Sequence, residues 1–268
     1  MSVDAHLRAR RCPGPGMRSA CLCSVMAMMV AVSWAEVPRT IELRGHQQTL
    51  HVSGSPGGAP IVVSSGDGGW IHLAPYVAHV LAARGFYVIG FDVRAYLASF
   101  TSGDTTLRIE NAAADFRALA EFAKAGGPTK PILVGVSEGA GLSLLAAANP
   151  ETKSHLLGVV GLGLPERNEL GWRWKDALIY LTHGIPNEPT FSAAAIAPNV
   201  APIPLAEIHS THDEFVSLAD IQNVLKRAGE PKRLWIINAS DHRFSDNLPE
   251  FDERLLEAVA WVRANAPR

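Results

Sequence analysis

Ser137 lies in Gly135-Val136-Ser137-Glu138-Gly139, a G-x-S-x-G pentapeptide. The apolar run Pro131-Ile132-Leu133-Val134 leads into it, and small, helix-compatible residues follow as far as Asn149-Pro150. Strand, sharp turn and helix put a serine at the apex, where a strained backbone lifts the hydroxyl above the sheet. The glycines two before and two after leave room where strand and helix backbones crowd together. A serine hydroxyl is a poor nucleophile at neutral pH until a base takes its proton, and that base works best when a carboxylate orients it. Behind such a turn the acid, then the histidine, come later in the chain. Asp213 follows 76 residues on, in His209-Ser210-Thr211-His212-Asp213-Glu214, and His242 a further 29 on, in Ser240-Asp241-His242-Arg243. Each comes just after a predicted strand, which makes Ser137, Asp213 and His242 the candidate nucleophile, acid and base. Asp213 and Glu214 are adjacent, so only one can point at the histidine, and Asp213 is the preferred choice.

Acyl transfer also needs donors for a developing oxyanion. The backbone N–H of Glu138, opening the helix after the serine, is one candidate. The glycine-rich Gly66-Asp67-Gly68-Gly69 supplies the other, assigned to the N–H of Asp67 with Gly68 as the fallback. No Gly-Lys-Ser/Thr follows that loop, so it is no phosphate loop, and Gly139-Ala140-Gly141 lacks the third glycine of a dinucleotide site. Asp241 reads as a turn former. His209 and His212 are a weak metal pair without a third ligand or a cysteine. His72 and His79, on a helix, read as surface or core residues. No cofactor and no metal is implied.

The surrounding pattern supplies the scaffold. A hairpin is expected over 40–52, broken at Gly45-His46, then strands over 60–64, 86–91, 131–136, 156–164, 203–208 and 233–238. Helices are expected over 72–84, 107–125, 138–148, 218–228 and 249–264, with apolar residues at helical spacing. Strand–helix alternation of this kind requires a mostly parallel sheet covered on both faces, as one α/β domain over residues 36–268. Chemistry in such sheets sits at the carboxyl ends of the strands. From 165 to 200 the periodicity breaks down, and an insertion capping the serine is expected there, with at most one helix near 174–182. Its Trp172, Trp174, Tyr180 and Phe191 suit either an acyl pocket or the cap's own core.

Composition narrows the classes. With 268 residues, 47% hydrophobic and 19% charged, the chain is globular. A formal net charge of −2 without a basic stripe gives no reason to expect nucleic acid as a partner. Arg8, Arg10, Arg11 and Arg18 precede an apolar run from Ala20 to Ala35 that ends in Ser33-Trp34-Ala35. That is the pattern of a cleavable secretory signal over residues 1–35, with Met17 as an alternative start. All three cysteines fall inside it, and its removal leaves 20 basic against 25 acidic residues, a net charge of −5. An acidic periplasmic or secreted protein without disulfides is the expectation.

Together these residues resemble the α/β-hydrolase superfamily over nearly all of the chain after residue 35. By that resemblance Ser137, Asp213 and His242 form a triad acting through an acyl-enzyme. Ser64-Ser65-Gly66-Asp67-Gly68-Gly69-Trp70, followed by a helix and Gly90-Phe91-Asp92, is similar to the VirJ/AcvB group of exported bacterial virulence proteins. Glu138 and Gly141 depart from that group's usual elbow. The resemblance implies a small-molecule or lipid ester as substrate, with aminoacyl-phosphatidylglycerol the sharper case and contact with a membrane surface its corollary. A non-catalytic secretion-accessory protein that keeps the fold is the competing expectation.

Overall fold

The computed structural model describes residues 36–174 and 188–267. The expected signal over 1–35, and the insertion helix expected near 174–182 apart from its first residue, lie outside them. The described chain is organised on one eight-stranded sheet. Its strands are β1 (Val37–Leu43), β2 (His46–Gly54), β3 (Pro60–Ser64), β4 (Tyr87–Phe91), β5 (Ile132–Val136), β6 (Gly158–Leu162), β9 (Leu205–Ser210) and β10 (Lys232–Ile237). They stand in the order β1-β2-β4-β3-β5-β6-β9-β10, antiparallel across β1-β2-β4 and parallel from β4 to β10. In the insertion, β7 (Arg167–Glu169) and β8 (Thr190–Ser192) pair antiparallel as a separate ribbon.

β3, β5 and β6 are buried at every position because helices cover both faces. Alternation divides their side chains between two cores. Ile61, Val63 and Val134 join α1 (Leu73–Ala83) and the closing helix, whose Phe251 and Leu255 are fully buried. Val62, Leu133 and Val159 join α3 (Ile109–Ala125) and α4 (Glu138–Ala148) through Phe116, Leu119 and Leu142.

Three departures from the sequence reading have local causes. The hairpin turns at Arg44-Gly45 and pairs His46 with Leu43, because both turn residues adopt positive φ (50° and 84°), as a tight two-residue turn demands. Arg44 is held there by Asp115, whose carboxylate accepts from Nε at 3.0 Å and Nη2 at 2.7 Å, and from the Tyr96 hydroxyl at 2.7 Å. Second, α2 (Val93–Ser99) occupies what reads as loop. Asp92 caps it by accepting from the N–H of Ala95 at 2.9 Å, and Val93, Tyr96 and Leu97 bury its inner face. α5 (Pro150–Lys153) is likewise a short helix, capped by Asn149. Third, the insertion is partly regular. After β8, Ser192 caps α6 (Ala193–Ile196), and Phe191, Ala193 and Ala194 sink into the main core. α7 (Leu218–Arg227) and α8 (Leu248–Asn265) complete the chain close to where periodicity puts them.

Candidate active site

Ser137 joins β5 to α4 with φ 50° and ψ −119°, a left-handed conformation that costs an L-residue about 1–3 kcal/mol. Its surroundings impose it: the Ser137 N–H donates to Leu162 O at 2.9 Å, and every α4 residue before Ala148 is buried. The elbow glycines are required by close approach. A Cβ at 135 would stand 2.3 Å from Gly139 O, and one at 139 would stand 2.4 Å from Ser65 O.

Asp213 and His242 come from the ends of neighbouring strands β9 and β10, and they meet. His242 Nδ1 donates to Asp213 Oδ2 at 2.6 Å, which fixes the tautomer and leaves Nε2 to accept a proton. Nε2 is buried with no hydrogen-bond partner among the described residues, and His242 and Ser137 line the same cavity. Asp213 Oδ1 accepts from the N–H of Phe215 at 2.9 Å and of Val216 at 2.8 Å. Burial pushes the Asp213 carboxyl up, but the hydrogen bond and charge of His242 and these two N–H groups outweigh it, so it lies below the usual carboxylate range. Glu214 takes a different part: its Oε2 accepts the backbone N–H of His242 at 2.7 Å. One carboxylate of the adjacent pair orients the ring and the other anchors the main chain. Phe215 packs edge-on against the imidazole, with ring centroids 5.6 Å apart.

Gly66–Gly69 passes over the serine on the other side. A Cβ at 66 would be 3.3 Å from Ser137 Cβ, and the Gly69 N–H closes a turn on Gly66 O at 3.0 Å. Asp67, Gly68 and Glu138 all line the cavity. The Glu138 side chain folds toward the insertion, where its Oε2 accepts from the N–H of Glu169 at 3.1 Å, tying the elbow to β7. Burial pushes its carboxyl well above the usual range, and the charges of Asp67 and Glu169 push it further. Gly141, one turn on, makes way for Asn168: a Cβ there would stand 1.7 Å from Asn168 Oδ1.

The cavity measures about 470 Å³, within the range of small-molecule sites. Ile71, Leu73, Trp172, Trp174, Phe215 and Val216 supply apolar wall, and Arg94, Arg167 and Arg243 also line it. Of the insertion's aromatics, Trp172 and Trp174 face this cavity, Phe191 joins the core, and Tyr180 lies outside the described residues. His72, read from sequence as surface or core, also lines the cavity, and it carries φ 55°. Asp241 forms a turn, accepting from the N–H groups of Arg243 and Ser245 at 3.0 Å each. His212 Nδ1 lies 3.1 Å from Ala239 O, and His209 is buried with Nδ1 3.9 Å from Asp213 Oδ2. Among the described residues no group of three or more His, Cys, Asp or Glu gathers to hold a metal ion. Sequence reasoning missed Glu207, the charged residue inside the apolar strand 203–208; that lone charge was the available signal.

This arrangement, an elbow serine above a mostly parallel sheet with an acid and a histidine on later strands, is the α/β-hydrolase fold. A protein-family model for the alpha/beta hydrolase fold matches residues 54–180. Among solved structures, the α/β hydrolase GrgF from Penicillium sp. superposes with a TM-score of 0.63 at 13% identity, covering 86% of this chain and 99% of its own. Est1E from Butyrivibrio proteoclasticus gives 0.62 at 14%, covering 85% and 99%. A membrane phospholipase A described as a bacterial virulence factor gives 0.59 at 15%, covering 85% and 87%. At these identities the likeness establishes the fold. No curated protein sequence matches the chain.

Proposed function

We propose that the protein is an exported serine esterase that works through an acyl-enzyme. The observation that carries this reading is the 2.6 Å His242–Asp213 hydrogen bond, which leaves Nε2 without a partner on a residue that lines the same cavity as Ser137. Ser137 Oγ attacks the ester carbonyl carbon while His242 Nε2 takes its proton. The carbonyl π electrons move to oxygen, and the N–H groups of Glu138 and Asp67 stabilise that oxyanion. Collapse breaks the bond to the alcohol oxygen, which leaves with the proton from His242. Water, deprotonated by His242, then releases the acid and restores Ser137. Asp213 stays ionised throughout, as its depressed pKa supports.

Within this class, the lining favours an aminoacyl-phospholipid, the substrate that the resemblance to the VirJ/AcvB group implies. The aromatic and aliphatic wall suits acyl chains, Arg94, Arg167 and Arg243 suit a phosphate, and Asp67 and Glu169 suit an ammonium. Export rests on the signal pattern of residues 1–35 and is checked by N-terminal sequencing of periplasmic protein, with Glu36 expected first. The central experiment is intact-mass spectrometry after incubation with a fluorophosphonate. One adduct is expected on wild type, none on Ser137→Ala, and a strongly slowed reaction on His242→Ala. An unlabelled wild type that also cleaves no acyl or lipid ester sinks the proposal. A wild type that labels but leaves aminoacyl-phosphatidylglycerol uncleaved sinks the lipid assignment, and unchanged hydrolysis of that lipid by Ser137→Ala sinks Ser137 as its nucleophile.

A further inference from the structure

Beneath the His242–Asp213 pair the sheet carries a carboxyl group that the reaction above does not use. Glu207 stands in β9, 1% exposed, directly across the ladder from Gly161 of β6. The missing side chain at 161 admits it, since a Cβ there would come within 2.0 Å of Glu207 Oε2. Glu207 Oε1 accepts the N–H of Leu164 at 3.0 Å, in the turn that leaves β6. One residue earlier, Gly163 has φ +64°, and its N–H donates to Ile208 O at 3.0 Å. That glycine lies against the pair: a Cβ on it would stand 2.5 Å from His242 Cε1, 2.9 Å from Nδ1 and 3.2 Å from Asp213 Oδ2. The turn is the surface on which imidazole and carboxylate rest.

We propose that Glu207 is a positioning residue for the His242–Asp213 pair, clamping the Leu164 N–H so that the Gly163 turn fixes the plane of the imidazole. The proposal rests on reading His242 as the base of Ser137. An apolar residue would fill this doubly covered strand without the cost of burying a polar group, so the carboxyl is explained by the hydrogen bond it makes. Charge balance agrees. The titratable group that acts on Glu207 is Asp213, and His209, two residues along the same face of β9, lies 3.9 Å from that Asp213 carboxylate. Burial raises Glu207 to about 8, opposed by the N–H groups of Leu164 and Gly163 and reinforced by the charge of Asp213. Burial also lowers His209, which opposes its charging. At neutral pH Glu207 therefore accepts the Leu164 N–H without placing a second negative charge beside Asp213.

Two replacements separate the roles of this side chain. Glu207→Gln keeps an oxygen for Leu164, and kcat should stay within about threefold of wild type. Glu207→Leu removes the acceptor at similar size, and kcat should fall about 10–100-fold with KM within about twofold. The downfield proton resonance of His242 Nδ1–H should persist in the first variant and shift or vanish in the second. A folded Glu207→Leu with wild-type kcat and resonance overturns the proposal, and so does Glu207→Gln falling as far as Glu207→Leu. If Glu207→Leu does not fold, Glu207→Asp, one methylene short of Leu164, carries the same expectation and the same refutation. A wild type that neither labels nor turns over removes the proposed function, and the resonance comparison alone then decides whether Glu207 seats the ring.

Discussion

Replacing Glu207 with Gln should stabilise the fold, by an amount that depends on pH. In the folded protein the carboxyl titrates near 8, against an ordinary value of 4.5. Below pH 4.5 both folded and unfolded chains carry the proton, and burial costs nothing through ionisation. Between 4.5 and 8 the folded state keeps a proton that the unfolded chain releases, so stability falls by about 1.4 kcal/mol per pH unit. At pH 7 the accumulated cost is about 3 kcal/mol, and above pH 8 it is constant. Gln cannot ionise and keeps the oxygen that Leu164 uses, so the variant escapes the pH-dependent cost, while its amide N–H groups, standing where Oε2 has no partner, add a cost that does not change with pH. Urea unfolding of both proteins at pH 5, 7 and 8.5 reads the difference directly. The advantage of Glu207→Gln should grow by about 2.5 kcal/mol from pH 5 to pH 7 and by about 1 kcal/mol more by pH 8.5, and the gap in Tm should widen by roughly 5–10 °C between pH 5 and pH 7. A difference between the two proteins that does not change with pH would mean that burial does not hold Glu207 neutral.

Other substitutions test the remaining contacts. Gly163→Ala must both adopt φ +64° and push a methyl into the imidazole, so kcat should drop about 100-fold while the protein still folds, as checked by steady-state kinetics and circular dichroism. Asp213→Asn should lower kcat about 10³–10⁴-fold by losing the tautomer and the imidazolium partner, whereas Glu214→Gln keeps an acceptor for the His242 N–H and should lose less than about tenfold. Equal losses would reverse the two assignments. The depressed Asp213 pKa contributes stability that is present above pH ~4 and lost as pH falls through its folded value, so Asp213→Asn should flatten the acid limb of an unfolding titration. Asp115→Asn breaks the charged contacts to Arg44 and the Tyr96 hydroxyl, and should cost about 2–3 kcal/mol in urea unfolding without changing KM.

The architecture and the candidate site positions were legible because each is encoded locally. The apolar strand before Ser137 and the small residues after it specify an elbow whatever else surrounds them. Buried parallel strands such as Ile61–Val63 must be apolar on both faces, and α1, α3 and α8 show helical spacing. Short elements escaped: α2 and α5 depend on the caps Asp92 and Asn149 more than on periodicity, and the β7–β8 ribbon is too brief to alternate.

Local patterns of residues specified the sheet, the elbow, and the chain order serine, acid, histidine, because backbone strain and hydrophobic period act over a few neighbouring residues. The assembled fold sets which adjacent carboxylate faces the imidazole, Asp213, and which holds its main chain, Glu214. It alone explains why Gly141, Gly161 and Gly163 must lack side chains, since Asn168, Glu207 and His242 fill those spaces from elsewhere in the chain. The contact between Glu207 and Leu164 spans 43 residues and exists through the register of β6 against β9. Register is a property of the assembled sheet, set by packing on both of its faces, and no local pattern of residues encodes it.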